Sequence, residues 1–266
     1  AMIGPVRDHI GLPTTPRPVA GIGLAIIASL GLGCGTAPPP SPRAEEPASS
    51  VGPGDTIPSP TPAQWTALAS LPDWSGVWTP NWTDQVAQVQ SNPLPWKPDY
   101  GARVARMIAE DVAGRPAGLF VNCLPEGMPS WMLINHNAIE FLFTPGRVTI
   151  LGESDGNRLR RIYTDGRPHP DDPAPTFHGH SIGHWEGDTL VVDTVGIIPQ
   201  SLLAVSEAAG VPTNGDVHVV ERLHLTTPDT MVDDIEVTAP RVLTAPDRKS
   251  TRLNSSHVAL SRMPSS

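Results

Sequence analysis

Three histidines in FHGHSIGHWEGD, His178, His180 and His184, are the residues of this chain best placed to do chemistry. On a continuous strand even-numbered side chains point one way, so all three imidazoles would share a face with Ile182 between them. His-x-His on a strand can give two ligands to a zinc ion, with a third His or a carboxylate closing the site. Asp171, Asp172 and Asp188 are near in sequence. A divalent metal is therefore the one cofactor considered, and no other is predicted. The competing reading is a polar strand facing solvent, with His178 still in the preceding loop.

Gly179-His180-Ser181-Ile182-Gly183 matches the G-x-S-x-G elbow of serine hydrolases, and Ser181, Asp193 and His218 would complete a triad on paper. The elbow needs a buried strand before the Ser and a helix after it. Here PHPDDPAPTFHG precedes it, whose prolines cannot donate to a central sheet, and a hairpin follows. The elbow is therefore set aside. Arg160 and Arg161 precede Tyr163 on a strand, one on each face. The inward arginine would pair with a carboxylate such as Glu153 or meet an anionic ligand. Arg161 and Tyr163 join the histidines as candidate pocket residues. Cys123, in NCLPEGMP, has no local signature of a catalytic thiol and reads as a small packed residue. No phosphate loop, CxxC pair or HExxH is present.

RRIYTDGRPHP (160–170) and GHSIGHWEGDTLVVDTVG (179–196) are long and specific strings. They resemble a family of exported proteins from environmental proteobacteria and acidobacteria to which no function is assigned. The resemblance extends back through CLPEGMP and EFLFTPGRVTILGE to Cys123. It implies export and no particular activity. That family has a basic or variable residue where His184 stands and an aromatic or aliphatic one where His178 stands, so it does not imply a site built from all three histidines.

The elements that must hold these residues read mainly as strands. AIEFLF-TPG-RVTILGE-SDGN-RLRRIYT, SIGHW-EGD-TLVVDTV and VHVVERLHLTT-PD-TMVDDIEV are apolar or β-branched runs cut by turn residues. Asp155-Gly156 and Gly187-Asp188 suit tight hairpins, where positive φ is needed. GARVARMIAEDVA (101–113) is the one clear helix, with Val104, Ile108 and Val112 every four residues and Met107 beside them. PDWSGVWTPNW (72–82) is rich in tryptophan, and its Gly76-Val77-Trp78 resembles the G-x-W that opens lipocalin-like barrels. SNPLPWKPDY departs from that pattern. The expectation is a mainly β fold, an antiparallel barrel or sandwich, lipocalin-like at best, with one short helix.

The ends read differently. Val19–Leu32 is an apolar run shorter than the ~20 residues of a spanning helix, and with Arg7 and Arg17 before it residues 1–34 read as a signal peptide. It ends at Gly33-Cys34, similar to a bacterial lipobox in which Cys34 is acylated, although Gly31 stands where Leu is favoured. Residues 35–62 are a Pro/Ser-rich tether that cannot bury enough apolar surface to order itself. Asp247–His257, DRKSTRLNSSH, resembles a translated sequencing adapter, and SRMPSS after an index-sized gap is similar to its remainder. Residues 247–266 are therefore expected to stay outside the fold. The domain would be residues 63–246, truncated at its C-terminus, with the strand near Asp233 missing its partner.

Over residues 63–246, 11 Lys plus Arg stand against 22 Asp plus Glu, a net of −11. Such a balance argues against the basic patch of a nucleic-acid binder and against adhesion to anionic head groups. The expectation is a periplasmic lipoprotein, held to the outer membrane through Cys34, that binds a small molecule or an envelope component. The alternative is a histidine-pocket enzyme of hydrolase or lyase type, with or without a metal.

Overall fold

Hairpin turns set most of the path of this chain. The computed structural model describes residues 59–116, 124–134, 137–153 and 157–255. Pro145-Gly146 turns β2 (Ile139–Thr144) into β3 (Arg147–Gly152), and β3 pairs with β4 (Arg158–Tyr163). Gly187, at φ +60°, turns β5 (His180–Glu186) into β6 (Thr189–Val195). Pro228-Asp229 turns β9 (His218–Thr227) into β10 (Thr230–Thr238). A separate small ribbon joins β7 (Leu202–Ala204) to β8 (Gly210–Pro212). Asp155-Gly156 and Cys123 lie outside the described residues, as do Cys34 and the leader.

With β1 (Val77–Pro80) and β11 (Asp247–Ser255), these strands close a barrel in the order β1-β11-β10-β9-β6-β5-β4-β3-β2. The mainly β, antiparallel barrel expected from the turn pattern is the observed fold. One neighbouring pair departs from it: β4 and β5 run parallel, joined by a crossover over residues 164–179, with only Ile162↔Ser181 and Tyr163↔Ile182 in register. Alternation then sorts the side chains. Ile162, Leu190, Val192, Val219, Leu223, Met231, Ile235 and Leu253 face a fully buried interior.

Helices close the barrel. α1 (Pro62–Ala67) and a 3-10 turn (Leu68–Ser70) lie at one end. At the other, α4 (Ser130–Leu133) drives Trp131 against Gly152, where a Cβ would come within 2.5 Å of the indole. The expected helix is present as α3 (Pro98–Val112), but only part of its apolar stripe is used. Val104 is buried and Met107 packs on the core, whereas Ile108 and Val112 are exposed. A further helix, α2 (Trp82–Ser91), was not expected. No helix among the described residues is long and apolar enough to cross a membrane.

The exclusion of residues from Asp247 on is overturned for 247–255. β11 pairs with β10 from Thr230↔Asn254 to Val237↔Asp247, so the strand at Asp233 has its partner. It also meets β1 at Trp78↔Ser255. Where β1 is too short to cover it, α2 supplies amides instead. Gln88 bonds both the N–H and the C=O of Ser250, and Asn92 Nδ2 donates to the Arg248 carbonyl at 2.9 Å. The physical reason is that a long edge strand demands pairing and DRKSTRLNS alternates with period two. Its Arg248 and Arg252 point out, and Asp247, Lys249, Thr251 and Leu253 point in. The inward charges pair, Lys249 Nζ lying 2.6 Å from Asp247 Oδ1, while Asp247 Oδ2 has no hydrogen-bond partner among the described residues. Residues 256–266 lie outside the described residues.

A buried ion pair in an otherwise apolar strand position is a weak contributor, because desolvation offsets the attraction. Replacing both residues, as Asp247→Val with Lys249→Leu, should raise stability by about 1–4 kcal/mol. Lys249→Leu alone, which leaves Asp247 buried without its partner, should cost about 3–5 kcal/mol. Urea denaturation of the two variants checks both signs.

Candidate functional site

The crossover that joins β4 to β5 carries the site. Its His169 stands between Pro168 and Pro170, whose rings restrict the backbone on either side. Gly179 ends the crossover at φ +68°, and a Cβ there would come within 2.5 Å of the Val195 carbonyl, so only glycine lets the chain re-enter the sheet. The strand begins after this reversal, at His180.

That start corrects the expectation for the three histidines. His180 and His184 share a face, as the alternation predicts, but His178 does not. His178 precedes the strand, its ring edge-on to Trp131 at 4.8 Å. Both of its ring nitrogens are buried, and among the described residues neither has a hydrogen-bond partner. His180 is on the outer wall of the barrel, opposite in face to buried Ser181, rather than facing the interior. His184 is exposed on that wall, bonded to Glu186 at 3.1 Å, and Glu186 also holds Arg222 at 2.6 Å. Arg222 and His184 keep the exposed Glu186 carboxyl below its ordinary pKa. Among the described residues no three His, Cys, Asp or Glu groups are arranged to hold a metal ion. Asp171, Asp172 and Asp188 are not drawn to the histidines.

What gathers on the outer wall is a string. His180 Nδ1 lies 2.8 Å from His169 Nδ1, and His169 Nε2 lies 3.0 Å from Asp193 Oδ1. The other carboxylate oxygen of Asp193 meets His218 Nε2 at 3.0 Å. Tyr163 stacks on His180 with ring centroids 5.4 Å apart, and the Arg167 guanidinium lies 4.1 Å from the Tyr163 centroid. Arg167 is itself bound to Asp165, which lowers the Asp165 pKa. Burial, then His169 and then Arg167, lower the His180 pKa. Arg161 is exposed on the same face of β4 as Tyr163. The pairing of Asp193 with His218 is thus real, but Ser181 is on the other side of the wall from both.

The inward arginine is Arg160, and its partner is Glu221 on β9, not Glu153. Arg160 Nη1 donates to Glu221 Oε1 at 2.7 Å, and Nη2 makes a second bond to Oε2. Nη2 also reaches Thr194 Oγ1 at 2.9 Å and Ser181 Oγ at 3.2 Å. Asp233 on β10 faces Glu221. Burial, and then Glu221, raise the Asp233 pKa well above the ordinary carboxylate value. Among the described residues neither Asp233 oxygen has a donor.

A second candidate lies at the barrel end under α1. Trp74 packs against Phe141, Phe143 and Trp185 with centroids 5.2, 5.5 and 5.2 Å away. Two grooves open there. One of about 420 Å³ is lined by Leu68, Leu71, Trp74, Phe141 and Phe143. The other, of about 330 Å³, is lined by Leu68, Phe143, Arg147, Thr164 and Trp185. The tryptophan-rich segment announced this cluster; the string was harder to see, because nothing in RRIYTDGRPHP marks His169 as a partner of Asp193 or His180. The fold and these two places define a closed β-barrel with a polar string on its wall and an aromatic mouth. The chain matches no protein-family model and no curated protein.

His178 gives the sharpest pH test. Burial, then Arg160 and Arg158, push its pKa down from 6.5 to about 4. The unfolded chain binds that proton near 6.5, so stability is lost as pH falls through this window, by roughly 3 kcal/mol below both values. His178→Phe keeps the contact with Trp131 and removes the titration. Its advantage over wild type should be smallest above pH 7 and grow towards pH 4, as read by denaturation midpoints.

Proposed function

We propose that this chain is a cell-envelope protein, acylated at Cys34 and carried on the 35–62 tether, whose barrel binds a small, planar, apolar molecule at its aromatic mouth. The observation that carries the reading is the cluster of Trp74, Phe141, Phe143 and Trp185 beneath the two grooves. Ligand sites favour barrel mouths, apolar and aromatic linings, and volumes of about 300–1,000 Å³. Rings packed edge to face are already desolvated, so a planar guest gains contact at little reorganisation cost. Arg147 and Thr164 at the rim supply polar groups that would orient it. The acidic balance of the domain gives no support to a nucleic-acid partner.

Titration with 1-anilinonaphthalene-8-sulfonate tests the mouth. Saturable binding that quenches tryptophan emission is expected, weakened about tenfold or more by Phe143→Ala and by Trp185→Ala, and unchanged by His180→Ala. Binding indifferent to both aromatic substitutions would end the reading. For the anchor, Cys34→Ser should release the protein from the membrane fraction of a bacterial host; unchanged association and processing would overturn acylation. A second reading, the histidine-based enzyme, draws on the string along the wall.

A further inference from the structure

We propose that Asp193, His169 and His180 form a proton relay that makes the outer wall of the barrel a general-base site for the hydrolysis of small aryl esters. The inference is independent of the mouth, which lies in a different part of the barrel.

The hydrogen-bond directions follow from chemistry. An ionised carboxylate only accepts, so the 3.0 Å contacts from His169 and His218 place a proton on Nε2 of each ring. Neutral His169 then has its lone pair on Nδ1. The 2.8 Å contact to His180 Nδ1 therefore takes its proton from His180. This leaves the His180 Nε2 lone pair as the basic end of the string. The groups lie in a line, with both nitrogens of His169 occupied by different partners. A line moves a proton, whereas a metal would need nitrogens converging on one point.

The relay also answers a difficulty. His180 resists carrying a charge, being partly buried beside Arg167 and a second imidazole. A proton accepted at Nε2 need not stay there. The Nδ1 proton can pass to His169, whose Nε2–H stays on the Asp193 carboxylate at 3.0 Å. The base takes the proton and its neighbour takes the charge.

Ser181 is on the other side of the wall, so water is the nucleophile. His180 Nε2 takes one proton from water as the water oxygen bonds to the acyl carbon. The tetrahedral adduct expels the aryl oxygen as that C–O bond breaks. The proton returns along the same path to the aryloxide, giving a carboxylic acid and a phenol from ester and water. No separate acid is present in the string, so the leaving group must be a weak base, which selects aryl over alkyl esters. Arg161, exposed on the same face of β4 as Tyr163 and without an ion-pair partner among the described residues, favours an ester bearing a carboxylate.

The test uses the full chain with p-nitrophenyl acetate and p-nitrophenyl hemisuccinate. His180→Ala should lower kcat/KM about 100-fold, within the usual range for a general base, while His184→Ala stays within about twofold. Arg161→Ala should reduce the hemisuccinate rate and spare the acetate. Asp193→Asn removes the carboxylate that accepts from His169 Nε2, so kcat/KM should fall towards the His180→Ala level. Nitrogen-15 shifts on the wild-type protein give a readout that needs no variant: neutral His180 protonated at Nδ1 and His169 at Nε2. A wild-type rate no faster than equimolar imidazole, equal losses for His180→Ala and His184→Ala, or His180 protonated at Nε2 would each overturn the proposal.

Discussion

The bidentate pair of Arg160 and Glu221 is the interaction on which the closed barrel depends. Most neighbouring strand pairs of the barrel have a longer run of backbone ladder to hold them, but β4 and β5, like β1 and β2, share only two register positions. Arg160 crosses that seam inside the barrel. It reaches Ser181 on β5, Thr194 on β6 and Glu221 on β9, so one side chain laces four strands. A guanidinium has five donors in a fixed fork, which suits it to bind several acceptors at once. Taking a charge into the interior costs much, and it is tolerated because Glu221 neutralises it and the hydroxyls fill the remaining positions. Asp233 on β10 lies beside the pair, and burial and then Glu221 raise its pKa well above the ordinary carboxylate value.

This polar interior constrains where small molecules can go. The middle of the barrel is occupied by paired groups and by Ile162, Leu190, Val192 and Leu223. Open volume is found at the mouth, where aromatic rings replace the charges, and in a more charged groove lined by Gln88, Arg222, Asp234 and Lys249. The outer wall is different again, since its string of imidazoles is half exposed, with His169 covered more than Asp193 or His218. Interior, mouth and wall thus divide one sheet into a fastening, a ligand-sized recess and a line of titratable groups.

The hairpins were legible because their signals are local. Gly187 needs positive φ, and the apolar residues either side alternate, so β5 and β6 could be read from about fifteen consecutive letters. α3 was legible for the same reason. α2 was not: WTDQVAQVQS has few apolar residues, and Gln88 earns its place by bonding a strand far along the chain. β11 was misread because its provenance, not its alternation, guided the expectation. The candidate site failed at one residue. Gly179 reverses the backbone between His178 and His180, which sends one ring to the plugged end and the other to the wall. Arg160 and Glu221 are 61 positions apart, and nothing in a local pattern joins them.

The count of strands has a consequence of its own. Around a closed ring, strands can alternate in direction all the way only if their number is even. This ring has nine, so one adjacent pair is obliged to run the same way, and here that pair is β4 and β5. Two strands pointing the same way cannot be joined by a tight turn; the chain has to travel back along the outside. That return path is the segment that brings His169 over the wall. Parity, rather than any preference of the segment itself, is what provides a covering strap there. An eight- or ten-stranded relative, free to alternate throughout, would have no need of the strap, and the imidazole string would lose its middle member.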